Sequence, residues 1–104
     1  MYEEYTRKRI SELRMQKDVS ARDMSLSLGQ NNSYINQIEN GKALPSLQGL
    51  FFICEYFGIT PKDFFDEKLS YPSQINDLIK YLNMLDSATL NHIIEIVKVL
   101  ASKT

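Results

Sequence analysis

Residues 20–41 read SARDMSLSLGQNNSYINQIENG and contain the start and stop signals of two short helices. Ser20 is a preferred N-cap residue, so a helix is expected to begin directly after it. Gly29 follows at the point where a left-handed residue ends a helix. A second short helix is predicted from Asn31 to the next C-terminal glycine, Gly41. Two short helices joined by a tight turn that contains glycine predict a helix-turn-helix.

The rest of the chain consists of further short segments with helical periodicity, divided by glycine and proline. No segment alternates with period 2, so we expect an all-α fold without a sheet. In the fourth helix, the predicted core face consists of Leu47, Leu50, Phe51, Cys54 and Phe57. The predicted helices cover 2–17, 20–28, 31–41, 46–57, a short turn from Thr60, 73–85 and 87–102. These form a five-helix domain over residues 1–66, a linker over 67–72 and a C-terminal hairpin over 73–104.

Composition and charge exclude several classes of protein. The net charge is −1, with a sequence pI near 5.8, which argues against a strongly basic polyelectrolyte-type binder of nucleic acids. No run of about 18 apolar residues exists, and the start MYEEYTRKRI lacks the apolar stretch of a secretory signal. A single cysteine, Cys54, fits a reducing compartment. We therefore expect a cytoplasmic protein.

Chemistry-bearing motifs are scarce. His92 and Cys54 are the chain's one histidine and one cysteine, and they lie far apart without a catalytic signature. No spacing typical of metal ligands occurs, and the four glycines form no phosphate loop. We expect no enzymatic activity, no cofactor and no metal site.

Residues 9–65 resemble the phage Cro and repressor type of helix-turn-helix regulator, also called the XRE family. The matching run is RISELRMQKDVSARDMSLSLGQNNSYINQIENGKALPSLQGLFFICEYFGITPKDFF. The family pattern has a turn glycine, then Tyr-Ile-x-x-Ile-Glu-x-Gly-Lys and a later Pro-Ser. These positions are Gly29, Tyr34, Ile35, Ile38, Glu39, Gly41, Lys42, Pro45 and Ser46. The resemblance implies that the second helix of the motif enters the major groove of double-stranded DNA.

The resemblance also implies roles for single residues. Arg14 and Glu39 match a structural ion pair that ties the first helix to the third. The outward side chains that would contact bases are Asn32, Ser33, Asn36 and Gln37. The residues expected to contact phosphates are Ser20, Arg22, Tyr34, Asn40 and Lys42.

Two departures from the family pattern affect the expected contacts. Ala21 stands where such proteins usually carry a glutamine that braces a phosphate, and Arg22 is its cationic neighbour. No lysine or arginine lies between Asp23 and Lys42. The commonest specific contact, arginine to guanine, is thus missing, while asparagine and glutamine pair with adenine. We expect modest affinity, base contacts that favour A·T pairs, and strong dependence on dimerisation.

The C-terminal helix has an apolar arc of roughly 220°, wider than the stripe of about 100° that one core requires. This width predicts a second buried surface and a homodimer formed by the C-terminal hairpin. The residues assigned to this contact are Leu90, Ile93, Ile96, Val97, Val99 and Leu100.

Phe52 and Tyr56 lie one turn apart on the fourth helix and suggest a further contact surface. Two interpretations stay open, because these rings could meet the hairpin of the same chain or a second chain.

Two functions are consistent with these features. The first is a sequence-specific transcriptional repressor that binds a palindromic operator as a homodimer and blocks polymerase. The second is a protein-interaction module, such as an antitoxin or anti-repressor subunit, that binds another protein through its C-terminal helices.

Overall fold

The computed structural model describes residues 1–103, which form seven α-helices and no strand. The predicted all-α fold, with a helix-turn-helix followed by C-terminal helices, is confirmed. The helices are α1 (Tyr2–Lys17), α2 (Ala21–Ser27), α3 (Tyr34–Glu39), α4 (Leu47–Phe57), α5 (Pro61–Phe64), α6 (Pro72–Leu82) and α7 (Ser87–Ser102). The chain divides into two compact units, Met1–Ser73 and the residues from Gln74 onward. Across residues 1–103, no helix is both long enough and apolar enough to cross a membrane.

Side-chain caps define where most helices begin. The hydroxyl of Ser20 accepts a hydrogen bond from the Asp23 amide at 3.0 Å at the start of α2. Ser46 and Thr60 cap α4 and α5 in the same way, at 3.0 and 3.1 Å. Each cap satisfies one of the free amides of a helix N-terminus, so the predicted starts of these three helices are confirmed.

The predicted start of α3 at Asn31 is wrong by three residues, because the helix begins at Tyr34. The Asn31 side-chain oxygen accepts from the Ser33 amide at 3.1 Å and from the Ser33 hydroxyl at 2.9 Å. This local turn competes with helical hydrogen bonding and delays the helix. Asn32 therefore lies in the turn before α3 rather than on the helix.

One hydrophobic core lies among the first five helices. Its buried members are Ile10, Leu13, Met24, Ile35, Ile38, Leu50, Ile53, Cys54, Phe57, Ile59 and Phe64. Because α1 and α2 both pack on α3, the core holds the helix-turn-helix in a fixed arrangement.

The predicted core face of α4 is partly wrong. Leu47 and Phe51 are 69% and 46% exposed, whereas Ile53, which the prediction omitted, is fully buried. The buried arc is rotated by roughly 70° around the helix from the predicted one, taking about 100° per residue. The rotation brings Gly49 inward, where the hydroxyl of Tyr34 lies close to it.

Buried Arg9 holds the segment that follows α5. Its guanidinium donates to the carbonyl oxygens of Phe64, Asp63 and Leu69 at 2.9, 2.8 and 2.7 Å. The Gln16 side chain also donates to the Ser70 carbonyl at 2.9 Å. Part of the segment interpreted as a linker is thus hydrogen-bonded to α1, while the proposed boundaries at residues 66 and 73 stay a prediction.

The second unit contains most of α6 and all of α7. Within the described range Ser87–Ser102, α7 has no buried side chain. Leu90 and Ile93 are half-buried. The exposed large apolar residues of α7 are Ile94, Ile96, Val97, Val99 and Leu100. The apolar arc recognised in the sequence is therefore a largely uncovered surface in the single chain.

Candidate nucleic-acid interface

Ser25 joins the two helices of the helix-turn-helix. Its fully buried hydroxyl donates to the Ala21 carbonyl at 2.7 Å and accepts from the Ile35 amide at 2.9 Å. The amide of Ile35 lies in the first turn of α3, where the helix itself supplies no acceptor. One hydroxyl thus satisfies a buried donor of α3 and fixes its N-terminal end against α2.

The sequence interpretation missed Ser25. A serine inside a short helix is more often solvent-exposed, and its bond to the carbonyl four residues earlier gives no sequence signature. The one available signal was its position next to Met24 on the inward side of α2.

Arg14 and Glu39 are brought together by the fold. The Arg14 Nε and Nη2 atoms donate to the two carboxylate oxygens of Glu39 at 2.7 and 2.9 Å, and Nη1 donates to the Val19 carbonyl at 2.9 Å. The side chains are 17% and 13% exposed. The hydrogen bonds to Glu39 raise the pKa of Arg14 above its usual value. This fork fixes the C-terminal end of α3 against α1 and the turn before α2.

The outer face of α3 presents amide groups that are partly preorganised. Gln37 Nε2 donates to the Ser33 hydroxyl at 3.0 Å, and that hydroxyl donates to Asn31 at 2.9 Å. The second N–H and the carbonyl oxygen of Gln37 are left for an external partner. Asn36 is exposed beside it. The arrangement can offer a donor and an acceptor together, the combination that adenine requires in the major groove.

The residues predicted to contact phosphates differ in their exposure. Ser20, Arg22, Asn40 and Lys42 are exposed, at the start of α2 and after α3. Tyr34 is half-buried, and burial raises the pKa of its phenol. Ala21 packs against the core, so its neighbour Arg22 is the exposed cation of the first turn of α2.

The predicted contact rings of α4 differ in exposure. Phe52 is 48% exposed, whereas Tyr56 is half-buried and packs edge-on against Phe57, with ring centroids 5.3 Å apart. The ammonium group of Lys17 lies 5.0 Å from the centre of the Tyr56 ring. Tyr56 is therefore partly covered by α1, and the Phe52 ring is the more exposed of the two to solvent or to a partner.

The comparisons with known proteins agree with this geometry. Residues 8–70 match the family model described as a helix-turn-helix domain. No curated protein and no solved structure matches the chain. Helix-turn-helix domains place one helix in the major groove, so the match supports DNA binding and transcriptional regulation as the class of function. Since the match covers more than half of the 104 residues, the chain belongs to the helix-turn-helix domain family.

Proposed function

We propose that this protein is a sequence-specific transcriptional regulator of the phage Cro and repressor type, in which α3 reads double-stranded DNA. The observation that carries the proposal is the fixed polar face of α3. Ser25 holds the helix at one end and Arg14 at the other, so the amides of Asn36 and Gln37 point outward from a rigid support. A site held on rigid elements gives the geometry that base recognition needs.

The contacts divide into two groups. Asn32, Ser33, Asn36 and Gln37 contact base edges, with Asn32 and Ser33 acting from the turn before α3. Ser20, Arg22, Tyr34, Asn40 and Lys42 contact phosphates and orient α3 in the groove. Helix α3 carries amide side chains and no cation, so we expect A·T pairs in the half-site that it reads. For the same reason, a single chain should bind one half-site with modest affinity.

We further propose a homodimer, in which a second copy compensates for the modest affinity of one half-site. Two copies joined by the C-terminal hairpin would read two half-sites about 34–36 Å apart, which makes the operator an inverted repeat. Leu90, Ile93, Ile96, Val97, Val99 and Leu100 form the contact, supported by the exposure of most of them in the single chain. The dimer represses by occupying the operator and excluding polymerase in the cytoplasm.

Selection of bound sites from random duplexes tests this function. The expected result is an inverted repeat whose half-sites contain A·T pairs at the positions facing α3. Enrichment of G·C-rich half-sites, or of no sequence at all, would contradict the proposal. The selection needs a low salt concentration, since phosphate contacts weaken steeply as salt rises.

A second candidate function is supported by α7. Its exposed apolar face also fits an antitoxin or anti-repressor subunit that binds a different protein. In that case the chain would not bind any duplex at low salt, where the nonspecific phosphate contribution is strongest.

A further inference from the structure

The three arginines of α1 have different partners. The donors of Arg9 are taken by backbone carbonyls, and those of Arg14 by Glu39 and Val19. Arg7 lies two turns before Arg14 and so on the same side of α1. Its nearest carboxylate oxygen belongs to Glu4 and is 3.9 Å away, and its side chain is 38% exposed. In the described part of the chain, no carbonyl or carboxylate oxygen accepts a hydrogen bond from Arg7, in contrast to the other two arginines of α1.

The guanidinium of Arg7 lies against the turn that ends α3. A Cβ atom built on Gly41 would be 2.8 Å from Arg7 Nη1. The two residues also line one surface cavity with Ile38 and Leu44. A positive charge thus lies beside the short segment from Asn40 to Lys42.

The length of α3 connects this position to the DNA backbone. The six residues of α3 span about 9 Å, and the major groove is about 12 Å wide. With α3 in the groove, as the proposed function has it, the turns at its two ends are the segments that lie nearest to the flanking phosphates. Between Asp23 and Lys42 the sequence supplies no cation for these phosphates.

We propose that Arg7 is a phosphate-binding residue of the DNA interface, placed by α1 beside Asn40 and Lys42. The inference rests on the proposed function and adds a contact from outside the helix-turn-helix. An arginine fork donates two parallel hydrogen bonds to a phosphate, a geometry that lysine does not offer.

The acidic side chains near Arg7 do not occupy it. Glu3 lies 3.2 Å from the amino group of Met1, and Glu4 is 75% exposed at a long distance from the guanidinium. Exposed ion pairs of this kind are weak and screened by salt, so a phosphate can replace Glu4 as the partner.

The test is the salt dependence of binding to a short labelled duplex of arbitrary sequence, measured by fluorescence anisotropy. In Arg7→Gln, the slope of log K against log salt should fall by about 0.9, the contribution of one phosphate contact. The loss of affinity should then be about three to four times larger at about 50 mM salt than at about 200 mM salt. Arg7→Lys should keep most of the slope because it keeps the charge.

Lys8→Gln is the matched control, since it removes the same charge at a position about 100° away around α1. It should leave the slope at the wild-type value. Thermal unfolding of Arg7→Gln, followed by circular dichroism, checks that the variant is folded at the assay temperature.

The outcomes separate the two proposals. Wild-type binding with an unchanged slope in Arg7→Gln, or equal losses in Arg7→Gln and Lys8→Gln, would overturn the inference about Arg7 alone. A wild-type chain that binds no duplex at low salt would overturn the proposed function, and with it this inference.

Discussion

At the scale of single residues, Gly49 shows how a helix-weakening residue serves the packing of α3. Glycine in a helix interior costs about 1 kcal/mol relative to alanine. Here a Cβ atom would lie 2.8 Å from the Tyr34 hydroxyl and 3.1 Å from the Ser46 hydroxyl. Because Gly49 has no methyl group, Tyr34 at the start of α3 can approach α4 closely. Glycine at this position therefore lowers the helix propensity of α4 but permits a close contact between α3 and α4.

Gly49→Ala should therefore not stabilise the wild-type protein. In a Tyr34→Phe background the hydroxyl is absent, and the same substitution should stabilise by up to about 1 kcal/mol from helix propensity. Urea unfolding of the two single variants and the double variant measures the coupling between the residues. Equal effects of Gly49→Ala in both backgrounds would show that the contact has no energetic role.

Among the helices, the packing of α2 against the start of α3 depends on the hydroxyl of Ser25. Ser25→Ala leaves the Ile35 amide buried without an acceptor, which should destabilise the protein by about 1–3 kcal/mol. The comparison is Ser27→Ala at the exposed end of the same helix, which removes only a solvent-accessible contact with the Tyr56 phenol and should destabilise the protein less than Ser25→Ala does. Denaturant unfolding measures both, and a Ser25→Ala variant as stable as Ser27→Ala would refute this role.

The sequence predicted where the helices lie better than which of their faces are buried. The caps at Ser20, Ser46 and Thr60 are local signals, since each joins a side chain to an amide three residues ahead. The start of α3 was wrong because Asn31 forms a turn with Ser33 that helical periodicity does not reveal.

Contacts between helices are harder to predict from the sequence than the helices themselves. The core face of α4 was rotated because leucine and phenylalanine occur around much of the helix, so residue type alone did not select the buried arc. Arg9 was missed because its partners are backbone carbonyls, which have no residue-type signature. In contrast, the resemblance indicated the Arg14 and Glu39 positions, and the structure places their charged groups 2.7 Å apart.

For the whole molecule, the proposed function depends on a homodimer. Sedimentation of the full chain at micromolar concentration should give twice the chain mass of 12.0 kDa. Val97→Glu should produce a monomer, because it places a charge within the exposed apolar face of α7. Asn91→Glu adds the same charge to an exposed polar position of that helix and should leave the dimer intact.

Phe52→Glu distinguishes the two surfaces that the sequence suggests. If α7 forms the dimer contact, this variant stays dimeric. A monomer with Phe52→Glu and a dimer with Val97→Glu would move the interface to α4 and contradict the proposed role of the C-terminal hairpin.

Whether the amide face of α3 reads DNA sequence can be measured by comparing two proteins on two duplexes. Binding of the wild-type protein and of the double variant Asn36→Ala, Gln37→Ala is measured on a selected operator and on an unrelated duplex of equal length. The variant should lose most of its preference for the operator and bind the unrelated duplex as the wild type does, because the phosphate contacts and those of Asn32 and Ser33 remain while the two amide contacts of α3 are lost. A variant that still prefers the operator as strongly as the wild type would contradict this role of α3.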